Sequence, residues 1–485
     1  MQSTGRSLKL EIKYLDDVHC KVECDSSTAQ ELSDFFTFEV PGARFMPAVR
    51  NKVWDGKIRL FNQVTRTIFA GLTNYIVDFC RVRNYDCIVE SKLTSSVQFD
   101  ENDVNDLAQS VGLTLEPRDY QKRAIAHAIS NKRCLLLSPT ASGKSLVIYM
   151  LARYYPGKKL IVVPTTSLVH QMASDFSEYG YEDEVQKITA GATKEITNEI
   201  TVTTWQSIYK LQRKWFDQFS VVIGDEAHLF KAKSLTNIMS KLNNTPYRFG
   251  FTGTLDGSQT HRLVLEGLFG PVERVTTTSD LIKNEYLSNL KINICILDHT
   301  DKNKQSVARA NYRDEIDYIV GSAARNDFLI NLCNELKGNS LLLYALVEKH
   351  GKPLHNLAQQ LDRPVFFVHG GVSGEDRDQI RGIVETENKA LIIASYGTFS
   401  TGVNIRRISN VVFASPSKSK IRVLQSIGRG LRTAEDKDSV RLFDVVDDLR
   451  KGKWINFTLR HYTERLKIYN DEQFPYKIHS YKLKE

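Results

Sequence analysis

Ten short apolar runs, separated by segments of helix length, constrain the fold of this chain more than any other feature. They form two sets of five: "RCLLLS", "KLIVVP", "EITVTT", "SVVIGD" and "RFGFTG", then "SLLLYA", "PVFFVH", "ALIIAS", "NVVFAS" and "VRLFDVV". Strands of a parallel sheet have this composition because helices cover both faces of the sheet. The pattern therefore predicts an α/β fold with two parallel-sheet domains between about residues 118 and 448.

The chain of 485 residues is too long for one hydrophobic core. Alternating strands and an acidic helix start predict a small α+β domain at 1–100. The two sets of apolar runs place the α/β domains at 112–285 and 290–450. The remaining segment, 451–485, is basic and mostly helical in pattern.

Composition argues against several classes of protein. No run of about eighteen apolar residues occurs, and the N-terminus lacks an apolar signal core, so we expect no membrane span and no membrane partner. The seven cysteines are scattered singly, which predicts a reduced, cytoplasmic chain without a zinc site or a disulfide framework. The net charge of +8 fits a polyanionic partner but does not establish one.

The stretch "SPTASGKS" has the pattern of a phosphate-binding loop between a strand and a helix. Gly143 lets the backbone approach phosphates closely, Lys144 can reach the β- and γ-phosphates of ATP, and Ser145 can ligate Mg²⁺. The predicted loop residues are Thr140, Ala141, Ser142, Gly143, Lys144 and Ser145. The alternative is a structural loop in which Gly-Lys-Ser occurs by chance.

The stretch "VVIGDEAH" predicts a second part of the same site. Its apolar residues form a strand whose carboxyl end delivers Asp225 and Glu226 to the crevice where parallel sheets bind ligands. Asp225 suits Mg²⁺, and Glu226 suits the orientation and deprotonation of an attacking water. Taken alone, such an acidic pair is more often a helix N-cap.

The stretch "QSIGRGLR" places Gln425, Arg429 and Arg432 on one face of a helix. Guanidinium groups aimed across a domain cleft would neutralise charge that develops on the γ-phosphate, which is the arginine-finger role. The alternative is a solvated basic helix face.

With these motifs in this order, the chain resembles the superfamily 2 helicases over about residues 112–448. The resemblance implies two tandem RecA-like motor domains beside the small α+β domain, with ATP bound between the motors. "EPRDYQ" resembles the adenine-recognition segment, which makes Arg118 and Gln121 candidate contacts. The family loop commonly opens with a small residue, so Ser138 is compatible with ATP binding.

The same resemblance assigns nucleic-acid contacts to further stretches: "VPTTSLVHQ", "TTWQS" and "SYGTFSTGVNI". "TGT" resembles the motif that couples hydrolysis to the strand. Hydroxyl side chains suit phosphate contacts, although each cluster alone is ordinary turn chemistry. The candidate contacts are Thr165, Thr166, Thr204, Trp205, Gln206, Thr398, Ser400 and Thr401, with Gly402 near ATP.

Both ends of the chain carry basic and aromatic residues. In the N-terminal stretch "RFMPAVRNKVWDGKIR", the residues Arg50, Lys52, Trp54 and Lys57 are candidate DNA contacts, but Trp54 is equally a candidate core residue. In the tail, "WINFTLRHYTERLKIY" predicts a helix that packs on the second α/β domain or, alternatively, a track for a displaced strand.

Within the family, the resemblance is strongest to a phage helicase that acts on branched DNA. It implies an ATP- and Mg²⁺-dependent DNA helicase that remodels forks, Holliday junctions and R-loops during phage recombination, replication and repair in the host cytoplasm. The implied partners are branched DNA, RNA–DNA hybrids, and single-strand-binding or recombination proteins. Two alternatives are a double-stranded DNA translocase without strand separation and a nucleotide-gated nucleic-acid-binding module.

Overall fold

The structure is a computed structural model, and it describes most of the chain. The described residues are 9–40, 42–94, 96–229, 232–255, 259–398, 405–415, 419, 423–424, 426–428, 431 and 439–483, with backbone alone at 232–233 and 259–260. The chain divides into two compact units, Met1–Ser138 with Gly143–Val275, and Pro139–Ser142 with Thr276–Glu485. Among the described helices, none is long and apolar enough to cross a membrane.

The first unit contains twelve α-helices among its described residues. They are α1 (Ser26–Phe35), α2 (Pro47–Arg50), α3 (Thr73–Arg83), α4 (Ser91–Thr94), α5 (Glu101–Ser110), α6 (Asp119–Asn131), α7 (Lys144–Tyr154), α8 (Thr166–Glu178), α9 (Trp205–Ile208), α10 (Arg213–Phe216), α11 (Ala232–Met239) and α12 (Gln259–Phe269). Its strands are β1 (Lys9–Tyr14), β2 (His19–Glu23), β3 (Thr37–Glu39), β4 (Lys57–Arg59), β5 (Thr67–Phe69), β6 (Asp86–Val89), β7 (Arg133–Leu137), β8 (Lys158–Val163), β9 (Gln186–Ile188), β10 (Ile200–Thr204), β11 (Phe219–Gly224), β12 (Tyr247–Thr252) and β13 (Val272–Arg274).

Seven α-helices of the second unit have both ends described. They are α13 (Thr278–Lys283), α14 (Asp301–Val307), α15 (Tyr312–Gly321), α16 (Ala323–Glu335), α17 (Lys352–Ala358), α18 (Gly374–Thr386) and α19 (Phe457–Asp471). Its strands are β14 (Asn289–Asp298), β15 (Asn339–Tyr344), β16 (Val365–Val368), β17 (Leu391–Ser395), β18 (Ile408–Phe413), β19 (Ser439–Asp448) and β20 (Tyr476–Lys482).

Each unit contains a seven-stranded parallel sheet, and the two sheets have the same topology. The strand order is β9-β10-β8-β11-β12-β7-β13 in the first unit and β16-β17-β15-β18-β19-β14-β20 in the second. Counted along the chain, both orders are 3-4-2-5-6-1-7. All ten predicted strands are present, and the prediction of two RecA-like α/β domains is confirmed.

The small N-terminal domain has two sheets of its own. One has the order β5-β2-β1-β6, with β1 antiparallel to β2 and parallel to β6, and the other is the antiparallel pair β3-β4. Helices α1 and α3 cover the first sheet with buried side chains such as Leu32 and Ile76. This mixture of strands and helices is the predicted α+β arrangement.

The tail contains a helix that packs on the second sheet. Arg465 of α19 is buried and donates two hydrogen bonds of 2.8 Å to the Asp444 carboxylate of β19. The hydroxyl of Tyr469 donates to the same carboxylate over 2.9 Å. After α19 the chain forms β20, which pairs in parallel with β14, so the tail adds an edge strand as well as a helix.

The N-terminal domain and the first parallel sheet share one hydrophobic core, which contains buried residues from both. The backbones of the two domains approach each other closely at two glycines. A Cβ on Gly71 would overlap the carbonyl oxygen of Glu266, and one on Gly267 would lie 2.9 Å from the Cβ of Phe69. The N-terminal domain is therefore packed directly against α12.

We expect Gly71→Ala to destabilise the protein by about 1–3 kcal/mol, because the new methyl group would overlap a backbone oxygen that cannot rotate away. Thermal unfolding of the full chain measures the effect. Gly382→Ala in α18 is the control, since a Cβ there meets no atom within 4 Å and alanine favours helix. Equal unfolding temperatures for Gly71→Ala and wild type would show that this packing is loose.

Candidate nucleotide site and nucleic-acid contacts

The loop between β7 and α7 is shaped by two residues with positive φ. Gly143, the residue before α7, has φ 74°, and Ala141 has φ 67°. A Cβ on Gly143 would lie 2.5 Å from Nε2 of Gln121. The Ser142 hydroxyl donates to the Pro139 carbonyl over 2.7 Å. Glycine at 143 is thus required both by the left-handed backbone and by the close neighbour.

The structure brings the loop lysine together with the acidic pair that follows β11. Nζ of Lys144 lies 3.0 Å from Oε1 of Glu226. Asp225 is only 6% exposed, and its backbone N–H donates to the Val162 carbonyl over 2.9 Å. Glu226 has φ 49°, an unfavourable value for a residue with a side chain, and this turn directs its carboxylate to the lysine.

The cluster of Lys144, Asp225 and Glu226 has more acidic than basic side chains. Burial, and then the neighbouring Glu226 carboxylate, raise the pKa of Asp225 well above its ordinary value, while Lys144 opposes the shift. Two carboxylates therefore share one lysine in a buried crevice. This imbalance fits a divalent cation, and the Asp225 carboxylate and Ser145 hydroxyl supply oxygen ligands of the kind that Mg²⁺ prefers.

Within the described ranges, no group of three or more His, Cys, Asp or Glu residues forms a metal cage. Mg²⁺ in nucleotide sites is usually held by one or two protein oxygens together with substrate phosphates and waters, so a full cage is not needed.

The histidine of "DEAH" was missed as a functional candidate. The His228 ring is buried, with Nδ1 2.7 Å from Oγ1 of Thr252 and 3.5 Å from Oε2 of Glu226. The Thr252 hydroxyl donates to the Thr254 carbonyl over 2.7 Å. A polar chain therefore runs from the candidate catalytic base to the "TGT" segment. The sequence feature that could have identified His228 is its place as the fourth residue of the "DEAH" motif.

The predicted adenine contacts lie beside the phosphate loop. Gln121 is 5% exposed, and its Nε2 donates to the Gly143 carbonyl over 3.2 Å. Its Oε1 accepts from the backbone N–H of Arg118 over 2.9 Å, at the start of α6. Gln121 thus connects the segment before α6 to the loop, and its contact with a base stays a prediction.

The predicted strand contacts of the first unit cluster at one edge of the sheet, because the carboxyl ends of the paired strands β8 and β10 lie side by side. Thr165 caps α8 by accepting from Leu168 N over 3.4 Å. Nε2 of Gln206 donates to the Pro164 carbonyl, also over 3.4 Å. The clustered candidates are Thr165, Thr166, Thr204, Trp205 and Gln206. Thr204 is buried, whereas Thr166 and Gln206 are exposed.

In the second unit, Thr398 follows β17 and is hydrogen-bonded to Ser395, with 2.8 Å between the two hydroxyl oxygens. Gly428 is described as well, and a Cβ on it would lie 2.8 Å from the Cβ of the loop residue Thr140. The remaining candidates of this unit lie outside the described residues, and their roles stay predictions. They are Ser400, Thr401, Gly402, Gln425, Arg429 and Arg432.

In the N-terminal basic stretch, Trp54 makes a local hydrogen bond, and its contact with DNA stays a prediction. Nε1 of Trp54 donates to the Lys57 carbonyl over 2.9 Å, so this indole stabilises the turn before β4. The exposed aromatic is Phe45, whose residue is 71% exposed and whose ring centre lies 4.7 Å from the Arg44 guanidinium. Among the basic candidates, Arg50 and Lys52 are exposed and Lys57 is half-buried. Sequence composition indicates the aromatic content of this segment but not which ring faces solvent.

Three protein-family profiles match successive parts of the chain. "DNA helicase UvsW, N-terminal" matches residues 9–90, "Type III restriction enzyme, res subunit" matches 114–257, and "Helicase conserved C-terminal domain" matches 324–434. The solved structure of T4 UvsW matches with a TM-score of 0.53 and 33% identity, and it covers 98% of this chain and 100% of the other.

Sequence comparison also finds a DNA helicase and a DNA translocase as relatives of this chain. The DNA 3'-5' translocase XPB2 of Sulfurisphaera tokodaii is 26% identical over 44% of this chain and 48% of its own length. The ATP-dependent DNA helicase uvsW of Enterobacteria phage T4 is 34% identical over 97% of this chain and 99% of its own length. With the full-length match, the two RecA-like sheets and the assembled Lys144–Glu226 site, this chain belongs to the UvsW family of ATP-dependent DNA helicases.

Proposed function

We propose that this helicase uses Mg²⁺ and ATP to unwind and remodel branched DNA, namely forks, Holliday junctions and R-loops, in phage recombination, replication and repair. The observation that carries the ATPase part is the 3.0 Å contact between Lys144 Nζ and Glu226 Oε1, which places the phosphate lysine against the candidate base. The branched-DNA part is supported by the full-length likeness to a phage DNA helicase.

Each residue of the site has a different role in hydrolysis. Lys144 would contact the β- and γ-phosphates, and Ser145 and Asp225 would hold Mg²⁺. Mg²⁺ would supply positive charge to the phosphate oxygens. Glu226 would orient the attacking water and accept its proton. Burial of Asp225 keeps competing solvent away from the metal side of the site.

Coupling to DNA is supported by the polar chain from Glu226 through His228 and Thr252. A change at the catalytic base alters the hydrogen bonding of the "TGT" segment through this chain. The strand itself lies on the edge formed by β8 and β10, where small hydroxyl side chains contact phosphates without reading the sequence.

We assign branch recognition to the N-terminal domain. Arg50, Lys52 and Lys57 supply phosphate contacts, and the exposed ring of Phe45 takes the stacking role that the sequence pattern predicted for Trp54. Because this domain shares a core with the first motor domain, a branch held there keeps a fixed position relative to that motor.

Replacing Arg50, Lys52 and Lys57 together with alanine should weaken DNA binding and flatten its salt dependence. Removing one phosphate-binding side chain lowers the slope of log K against log salt by about 0.7–0.9. We expect DNA-stimulated ATPase on plain single strands to remain, while the preference for forks falls. Binding titrations at several salt concentrations measure the slope.

Arg59→Ala is the matched control, because the guanidinium of Arg59 already lies 2.5 Å from the Asp55 carboxylate. Its slope should equal that of wild type. An unchanged slope and fork preference in the triple variant would place branch recognition elsewhere in the chain.

A second candidate function is movement on duplex DNA without strand separation, which the match to the restriction-enzyme profile over 114–257 favours. ATP-dependent unwinding compared across a fork, a four-way junction, an R-loop and duplex RNA separates the two. Product from branched DNA and R-loops, with little from duplex RNA, supports the proposal. DNA-stimulated hydrolysis without any strand displacement supports the translocase.

A further inference from the structure

A tyrosine outside the recognised motifs contacts the serine of the phosphate loop. The hydroxyl oxygens of Ser145 and Tyr179 are 2.8 Å apart, which is hydrogen-bond distance for two hydroxyl groups. Ser145 lies in the first turn of α7, and Tyr179 is the residue that follows α8. Nothing in the spacing of the motifs connects these two positions.

The position of Tyr179 is fixed by its surroundings. Its ring packs against Tyr149 of α7, with ring centres 5.6 Å apart. Its backbone N–H donates to the Asp175 carbonyl over 2.9 Å, and its own carbonyl accepts from Thr114 N over 3.3 Å. A phenol anchored in this way holds its hydroxyl in one place, so its contact with Ser145 can select a rotamer of the serine.

The direction of this hydrogen bond matters for metal binding. A serine hydroxyl has one proton to donate and two lone pairs to offer. When its oxygen ligates a cation, the proton must point to another acceptor. The phenolic oxygen of Tyr179 can accept that proton, which leaves the lone pairs of Ser145 free to ligate a cation.

We propose that Tyr179 is a positioning residue for Mg²⁺: it accepts the proton of Ser145 and directs the serine lone pairs at the cation that accompanies ATP. This inference rests on the proposed function, which makes Ser145 a magnesium ligand. Tyr179 itself touches neither cation nor nucleotide in this assignment.

The test is equilibrium binding of a fluorescent ATP analogue to full-length Tyr179→Phe, with Mg²⁺ titrated and with EDTA. We expect affinity in EDTA to match wild type and the Mg²⁺ concentration for half-maximal tightening to rise about two- to tenfold, the range for removal of one hydrogen bond. The ratio of affinities with and without Mg²⁺ does not depend on the folded fraction, so partial unfolding cannot mimic this result.

Tyr181→Phe is the matched control. Tyr181 is 6% exposed and two residues away, and within the described part of the chain its hydroxyl oxygen has no hydrogen-bond partner. Its Mg²⁺ titration should overlay that of wild type. An equal shift in Tyr181→Phe and Tyr179→Phe would overturn the proposal, because both changes would then act through packing.

A double-mutant cycle with Ser145→Ala separates this inference from the proposed function. Ser145→Ala should itself raise the Mg²⁺ requirement, and Tyr179→Phe should add nothing in that background. If Ser145→Ala leaves the Mg²⁺ requirement unchanged, the metal assignment of the proposed function fails and the inference falls with it. If Ser145→Ala raises it while Tyr179→Phe behaves as wild type, the inference alone is overturned.

Discussion

Replacing Glu226 with glutamine is expected to preserve ATP binding and to lower the rate of hydrolysis by about 10²–10⁴-fold, the usual contribution of a general base. Glutamine has nearly the same shape and can still hydrogen-bond the attacking water, but it cannot accept a proton from it. The Glu226 carboxylate lies 3.0 Å from Nζ of Lys144. Removal of that charge frees the lysine, so ATP affinity should be equal to wild type or modestly higher.

Single-turnover hydrolysis together with equilibrium ATP binding measures the two effects separately. Glu178→Gln is the control, since it makes the same chemical change on the exposed side of α8. It should alter neither quantity. Hydrolysis by Glu226→Gln at near the wild-type rate would remove Glu226 from the role of base.

Replacing Arg429 with alanine is expected to leave ATP affinity within several-fold of wild type and to lower kcat by about 10³–10⁵-fold, the range for arginine fingers. The motif "QSIGRGLR" carries this prediction, because Arg429 itself lies outside the described residues. Arg429→Lys should also be slow, because an ammonium group cannot form the bidentate contact of a guanidinium.

Steady-state kinetics measures kcat and equilibrium binding measures ATP affinity, so the two effects of Arg429→Ala can be separated. Arg313→Ala in α15 is the control, an exposed arginine far along the sequence from the motif. A large loss of ATP affinity in Arg429→Ala with kcat intact would indicate a ground-state binding role instead of an arginine finger.

Much of the fold was predictable because buried parallel strands have a strong sequence signature. β8 and β15, for example, are continuous apolar runs. The strands that the sequence did not predict lack this signature: β9 and β13 have three residues each at the sheet edges, and β20 is largely exposed. Apolar and polar residues alternate along the first half of β14, so its segment lacks the continuous apolar run by which the other buried strands were predicted.

The sequence could indicate the candidate phosphate loop and the candidate acidic pair because their chemistry restricts both residue type and spacing. Contacts between distant segments were not recognisable in this way. Tyr179 is one tyrosine among twenty, and only the folded chain brings its hydroxyl to Ser145. Likewise, the sequence shows Trp54 and Phe45 in one basic segment. Only the structure shows that the Trp54 indole hydrogen-bonds within the turn before β4 and that Phe45 is exposed.

The most direct measurement of the central claim is strand displacement from a forked DNA by the wild-type protein and by Glu226→Gln at equal bound DNA. We predict that wild type releases the labelled strand with ATP and Mg²⁺ but not with a non-hydrolysable analogue. The Glu226→Gln variant should bind the fork and ATP and release nothing. A wild-type protein that hydrolyses ATP on this fork without displacing a strand, or a Glu226→Gln variant that displaces it at the wild-type rate, would contradict the account.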